Sequence, residues 1–317
     1  MRRAGLLAAI LIALGVGTAQ GEDITGYARE CAARIADVPA FDCTQGTEIP
    51  ITVDGKVPAS YAPGMSCDRP SLLPPAPGET TEGQCLPHAR MLKLRDDATA
   101  QISAICRQKI LRPADTYLYD EIDIVLHGVA SGSTCWFQAL APLPLTAGRG
   151  LDGRHVPSPG DESRARDFWN PPAETAKAGC VACHDAAPFL YSPFVAQTGL
   201  LPADPFGRYA NDIGEAFKAW PPPRSIATTD NACTACHRIG SMNSCRRLML
   251  QAVGAAPTEG LDDWGKLFPQ SHWMPPGDLH SEAQWDAIYG RSVAALAACC
   301  RDPEAPGCTL SPMPEAP

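Results

Sequence analysis

One short motif with the residue types for covalent cofactor attachment occurs twice in this chain. Residues 180–184 read Cys-Val-Ala-Cys-His, and residues 233–237 read Cys-Thr-Ala-Cys-His. Two thiols three positions apart can each form a thioether with one porphyrin, and the adjacent histidine can then bind the iron. Two copies of this motif therefore predict two covalently bound haem c groups, with His184 and His237 as iron ligands.

The two motifs, taken with the segment Trp-Met-Pro-Pro at 273–276, resemble those of c-type cytochromes across residues 173–300. The resemblance implies that Cys180, Cys183, Cys233 and Cys236 carry the thioethers. It also implies that Met274 is the second ligand of the second haem, with His272 as the alternative. Tandem cytochrome c domains would space their motifs more widely than this chain does. We therefore expect both haems to share one core.

The second ligand of the first haem has several candidates. His127 is the leading one, because it falls on a predicted hairpin among apolar residues, although a structural histidine bonded to the backbone would look the same. Met242, Met249 and His155 are the alternatives, as is an iron with no second side chain. Asp185, directly after His184, could accept a hydrogen bond from an imidazole, but we expect it to face solvent or to cap a turn.

The first 21 residues have the composition of a signal peptide. Basic Arg2 and Arg3 precede an apolar run over 6–16, and small residues follow at 17–21. The apolar run is too short to span a bilayer comfortably. We predict a periplasmic or secreted protein with no membrane span.

The remaining cysteines fit that location. Of 14 cysteines, ten lie outside the motifs, and an even number in an oxidising compartment predicts up to five disulfides. Proximity along the chain favours the pairs Cys31–Cys43 and Cys67–Cys85. The full connectivity stays open at this point.

The charge balance excludes one class of partner. The chain carries 35 acidic and 26 basic residues, a net charge of −9, and nucleic-acid binding needs a basic surface. A basic redox partner protein is the more natural choice, because opposite charges steer association. Docking to a larger electron-transfer complex is a further expectation.

Periodicity predicts an α+β, disulfide-rich chain in three parts. These are the signal peptide at 1–21, a disulfide-rich, partly β α+β region at 22–150, and a mainly α-helical region at 151–317. The resemblance to c-type cytochromes implies that this last region carries the two haems. A helix is expected over 24–37, and a hairpin is expected to join 117–126 to a return strand at 134–137. Further helices are expected over 173–184, 211–220, 243–253 and 282–299.

One-electron transfer between redox partners is the predicted function. The main alternative is a haem enzyme, such as a peroxidase or an oxidoreductase of a small inorganic substrate, with one open iron. A third is a docking module whose region 22–150 binds a larger complex. A fourth has no haem and uses the C-x-x-C pairs for zinc or for thiol exchange.

Overall fold

A computed structural model of the protein describes residues 22–71, 85–202, 204, 206–236, 238–255 and 281–313. The predicted signal peptide, His237, His272 and Met274 lie outside these residues. In the described part the chain is mixed α/β and contains five disulfides. No helix among the described residues is long and apolar enough to cross a membrane.

The first helix, α1 (Ile24–Arg34), confirms the prediction for this segment, although it ends three residues earlier. Asp23 caps it by accepting a hydrogen bond from the Gly26 amide at 2.7 Å. Ile24, Tyr27, Ala28 and Cys31 recur at helical spacing and are all buried. This apolar stripe therefore lies against the rest of the fold.

A five-stranded antiparallel sheet, ordered β1-β2-β3-β5-β6, forms the centre of the structure. The predicted hairpin is confirmed as the pairing of β5 with β6, in which Val125 lies opposite Trp136. A short separate pair joins β4 to β7. The strands are β1 (Thr47–Glu48), β2 (Arg90–Asp96), β3 (Ala100–Arg107), β4 (Leu118–Tyr119), β5 (Glu121–Gly128), β6 (Thr134–Leu140) and β7 (Leu151–Asp152).

The two faces of this sheet differ in composition, because successive side chains of a strand point to opposite faces. One face packs against α1, and the Tyr27 and Phe137 rings lie 5.2 Å apart. Its buried residues include Ile102, Ala104, Ile122, Ile124, Leu126, Cys135 and Ala139. We call the other face the motif face; strand register places on it Gln101, Ser103, Ile105, Arg107, Glu121, Asp123, Val125, His127, Thr134, Trp136 and Gln138.

The prediction of a mainly α-helical region after residue 150 is wrong for the described residues. Its longest α-helix has 11 residues, and the other α-helices have four to six. A three-stranded sheet also lies here, ordered β10-β8-β9. The elements are α2 (Ala165–Phe168), α3 (Pro172–Lys177), α4 (Pro193–Ala196), β8 (Arg224–Thr228), β9 (Ile239–Gly240), α5 (Met249–Ala252), α6 (Glu282–Trp285), α7 (Arg291–Arg301) and β10 (Cys308–Pro312).

The helices of this region are short for a local reason. Prolines and glycines recur, so few uninterrupted stretches reach the length at which a helix is stable. The predicted helix over 211–220 is reduced to a 3₁₀ turn at Glu215–Phe217, and 244–248 and 286–290 are π-helical. The largest core cluster includes residues on both sides of position 150, among them Leu126 and Trp169.

Candidate functional site

The cysteines divide into two sets. All 14 lie within the described residues; ten form the disulfides 31–135, 43–106, 67–85, 245–300 and 299–308. The four motif cysteines are free thiols. The expected pair Cys67–Cys85 is confirmed, whereas the expected pair Cys31–Cys43 is wrong, because the sheet places Cys135 and Cys106 beside these residues.

Both motifs adopt the same local backbone. In each motif the first three residues form a 3₁₀ turn, which spans Cys180–Ala182 in the first motif and Cys233–Ala235 in the second. In the first motif the Cys183 amide closes the turn by donating to the Cys180 carbonyl at 3.1 Å, and the His184 amide donates to the same carbonyl at 2.9 Å. Such a turn holds two thiols at i and i+3 on one side of the chain.

The first motif lies against the motif face of the central sheet. The His184 and Trp136 rings meet edge to face at 5.0 Å. Burial, together with the nearby carboxylates of Asp123 and Glu121, raises the pKa of the Cys180 thiol to about 12. The motif therefore lies next to a surface that is both aromatic and charged.

His184 is held by hydrogen bonds on both its backbone and its ring. Its Nδ1 lies 2.8 Å from the Pro188 carbonyl oxygen, and its own carbonyl accepts a bond from the Tyr209 hydroxyl at 2.6 Å. A carbonyl can only accept, so Nδ1 carries the proton and Nε2 keeps its lone pair. Burial lowers the pKa of His184 to about 4, so this neutral form is the one present near pH 7.

His127 has a matching arrangement on the motif face. Its Nδ1 lies 3.1 Å from the Thr134 hydroxyl, which donates its own proton to the Gly132 carbonyl at 3.1 Å. The hydroxyl must then accept from Nδ1, so Nε2 is again the atom with a lone pair. Burial lowers the pKa of His127 to about 4. Its ring also meets Phe189, five residues after His184, edge to face at 6.1 Å.

His155 and Met249 are less well placed as ligands of the first iron, whereas the backbone of Met242 lies beside the first motif. His155 is exposed, and its ring lies near Asp152. Met249 is buried in the apolar cluster of Ile226, Ile239 and Leu296, next to the three-stranded sheet. Met242 is partly buried, and its amide is bonded to Asp185.

The second motif occupies the loop between the paired strands β8 and β9. Asn231 holds its start: the side chain accepts from the Cys233 amide at 3.0 Å and donates to the Ser292 carbonyl of α7 at 2.9 Å. Burial raises the pKa of Cys233, whereas Cys236 is exposed. His237 and Met274, predicted to complete this site, lie outside the described residues, so their roles stay predictions.

The prediction of a metal-binding protein needs a correction. Within the ranges that the structure describes, no group of three or more His, Cys, Asp or Glu side chains could hold a metal ion. A metal site formed by protein ligands alone is therefore absent from those ranges. The zinc alternative, which requires four such ligands, therefore has no site within those ranges, whereas His237 of the second motif lies outside them.

The thiol-exchange alternative meets a different difficulty. The attacking species in thiol exchange is the thiolate, and active cysteines have lowered pKa values in electropositive surroundings. Cys180 has the opposite environment, since burial and two carboxylates disfavour its ionisation. The first C-x-x-C pair is therefore a poor redox dithiol.

The expectation that Asp185 faces solvent is wrong. This residue is fully buried rather than exposed, and burial raises the pKa of its carboxyl to about 6. Its carboxylate contacts residues that follow the second motif, 57 and 59 positions along the chain. The sequence holds no signal for this contact, because neither segment has a pattern that pairs it with the other.

Comparison with known proteins identifies no relative. No protein-family model matches this chain. No curated protein and no solved structure matches it either. The functional argument therefore rests on the residues and contacts described above.

Proposed function

We propose that this protein carries two covalently attached haem c groups and transfers single electrons between redox partner proteins outside the cytoplasm. Cys180 and Cys183 would hold one group, and Cys233 and Cys236 the other. The observation that carries the proposal is the division of the cysteines. All ten others pair with one another, and the free thiols are the members of the two C-x-x-C-H motifs.

Free thiols in such a chain need an explanation. Five disulfides are typical of an oxidising compartment, where neighbouring thiols tend to pair or to be oxidised. Thioether formation would protect all four motif cysteines from both reactions. A leader at residues 1–21 would deliver the chain to the periplasm.

The ring of His184 supports the role of proximal ligand. Histidine ligands commonly donate Nδ1–H to a backbone carbonyl, which fixes the ring orientation and directs Nε2 to the metal. His184 makes this bond with Pro188. Haem, when bound, supplies a one-electron redox centre whose iron is held by four porphyrin nitrogens, so that two protein ligands suffice. A haem therefore does not need the cluster of three protein ligands that the described residues lack.

His127 is the best-supported second ligand for the same iron. It shares the motif face with Trp136, which contacts His184, and its own ring contacts Phe189 from the motif loop. Its bond to Thr134 leaves Nε2 as the free donor atom. Two imidazole ligands give a lower potential than a His/Met pair, so the first haem would be the lower-potential group if Met274 serves the second.

One observation favours the haem-enzyme alternative. The hydroxyl of Ser103 is buried without a hydrogen-bond partner, and strand register places Ser103 diagonally from His127 on the motif face. Such a hydroxyl could hydrogen-bond a small molecule at an iron with no second side chain. The carbon monoxide experiment described next distinguishes electron transfer from this enzymatic function.

The test is an absorption spectrum of protein matured in a periplasm that attaches haem c, recorded reduced with and without carbon monoxide. We expect two covalent haems per chain and no change with carbon monoxide. Absence of covalent haem in the wild-type protein would overturn the proposal. A carbon monoxide response in one haem would favour the enzyme.

Matched variants assign the groups. Cys180→Ala/Cys183→Ala and Cys233→Ala/Cys236→Ala should each retain one haem per chain. Cys67→Ala/Cys85→Ala removes a disulfide instead of an attachment pair and should retain both. His127→Ala should make one haem bind carbon monoxide, and an unchanged spectrum would exclude His127 as a ligand.

A further inference from the structure

One buried carboxylate joins the segments that carry the two motifs. Asp185 follows His184 directly and is fully buried. Its carboxylate accepts from the Met242 amide at 2.5 Å, from the Ser244 amide at 3.3 Å, and from the Ser244 hydroxyl. A buried charge is costly unless it is hydrogen-bonded, so these three donors make the contact a specific one.

Two neighbouring residues of the same segment, Gly240 and Asn243, also contact the first motif or Asp185. Gly240 packs on Asp185 so closely that a Cβ there would lie 2.3 Å from the carboxyl carbon and 2.6 Å from the Asp185 backbone carbon. The Asn243 side chain donates to the Cys183 thiol at 3.5 Å. The segment 240–244 is therefore seated on the first motif, and only a residue without a side chain fits at position 240.

The second motif lies close to this segment along the chain. Cys236 precedes Gly240 by four residues, which span at most about 14 Å when fully extended. The strand β9 (Ile239–Gly240) is in turn paired with β8, the strand that precedes the second motif. The position of the second motif relative to the first thus depends on the contact at Asp185.

We propose that Asp185 is a positioning residue that sets the separation of the two haem groups. This inference rests on the proposed function. Asp185 would contact neither cofactor; it acts through the segment 240–244, which links it to the second motif. Loss of the Asp185 charge would weaken the hydrogen bonds from Met242 and Ser244 that hold the segment 240–244 on the first motif. The two haems would then lose their fixed separation.

The test compares the holoprotein with its variant Asp185→Asn by circular dichroism in the Soret band. Two haems held close in a fixed orientation give a bisignate signal. We expect Asp185→Asn to keep both haems and lose this signal. Asp68→Asn is the matched control: Asp68 is also buried, and it accepts from the Thr52 hydroxyl and from the Asp54 and Gly55 amides. This control should keep the signal.

Further variants make the outcome decisive. Ser244→Ala removes only the hydroxyl donor and should weaken the signal, and it replaces Asp185→Asn as the test if that variant does not fold. A bisignate signal that survives in the folded Asp185→Asn or in Ser244→Ala at wild-type strength would overturn the inference. So would a wild-type protein with two haems and no such signal, whereas a wild-type protein without haem would overturn the proposed function itself.

Discussion

The two C-x-x-C-H motifs have the same local backbone and different surroundings. The first lies against the motif face of a five-stranded sheet, with His184 in contact with Trp136. The second lies in a loop between two short strands, and its Cys236 is exposed. Local sequence determines the 3₁₀ turn in both places, whereas the environment of each thiol comes from residues far along the chain.

The regions around the two motifs are also stabilised in different ways. The region of the first motif belongs to the large core of the sheet and α1, which disulfide Cys31–Cys135 also joins. The region of the second motif has a small core around Ile226 and Leu296, and two disulfides connect α7 to its neighbours. Small cores commonly depend on disulfides for stability, so the second site should be the more sensitive to their loss.

Removing a disulfide from the region of the second motif gives the largest expected effect. Loss of a native disulfide typically costs about 2–5 kcal/mol. Cys245→Ala/Cys300→Ala should expose the region around α7 to protease while the sheet stays resistant, because the large core does not depend on this bond. Limited proteolysis with mass spectrometry of the fragments measures this. Cleavage within 90–140 as early as within 244–301 would contradict the comparison.

The second largest expected effect is a difference in alkylation rate between the motif thiols, measured in protein produced without haem. Burial and nearby carboxylates raise the pKa of Cys180 to about 12, which lowers its thiolate fraction at pH 8 about a thousandfold relative to an ordinary thiol. Part of this is offset because nucleophilicity rises with pKa, which leaves about thirtyfold slower reaction. Alkylation at pH 8 followed by peptide mapping should label the exposed Cys236 first and Cys180 last. Equal labelling rates would show that the two sites do not differ in this way.

Acid sensitivity at the first site gives the smallest effect. Burial lowers the pKa of His127 from 6.5 to about 4, so the folded state favours the neutral ring. The resulting stability is present above pH 6.5 and is lost as the pH falls from 6.5 towards 4. His127→Gln should flatten the pH dependence of unfolding by up to about 1.4 kcal/mol per pH unit in that window. Urea unfolding of protein produced without haem, at several pH values, measures this dependence, and identical slopes for the variant and the wild type would refute it.

The sequence was informative where a pattern is local. The helical spacing of Ile24, Tyr27 and Cys31 predicted α1, and the turn at 128–133 predicted the hairpin of β5 and β6. The pairing of β8 with β10 was missed, because the partners Thr228 and Cys308 lie 80 residues apart and both strands are short. The motif residues of the site were found by their spacing. The burial of Asp185 was not predicted, because tertiary packing brings its hydrogen-bond partners from 57 and 59 positions away.

The disulfide pattern has a consequence for how this protein can be made. The three bonds of the first half are concentric, since 31–135 encloses 43–106, which encloses 67–85. A chain that emerges into an oxidising space from its amino end presents Cys31 and Cys43 first, long before either correct partner appears. Early oxidation would therefore join the wrong neighbours, and such errors are corrected only by slow thiol–disulfide exchange. Efficient production should depend on a disulfide isomerase in the compartment where the chain folds.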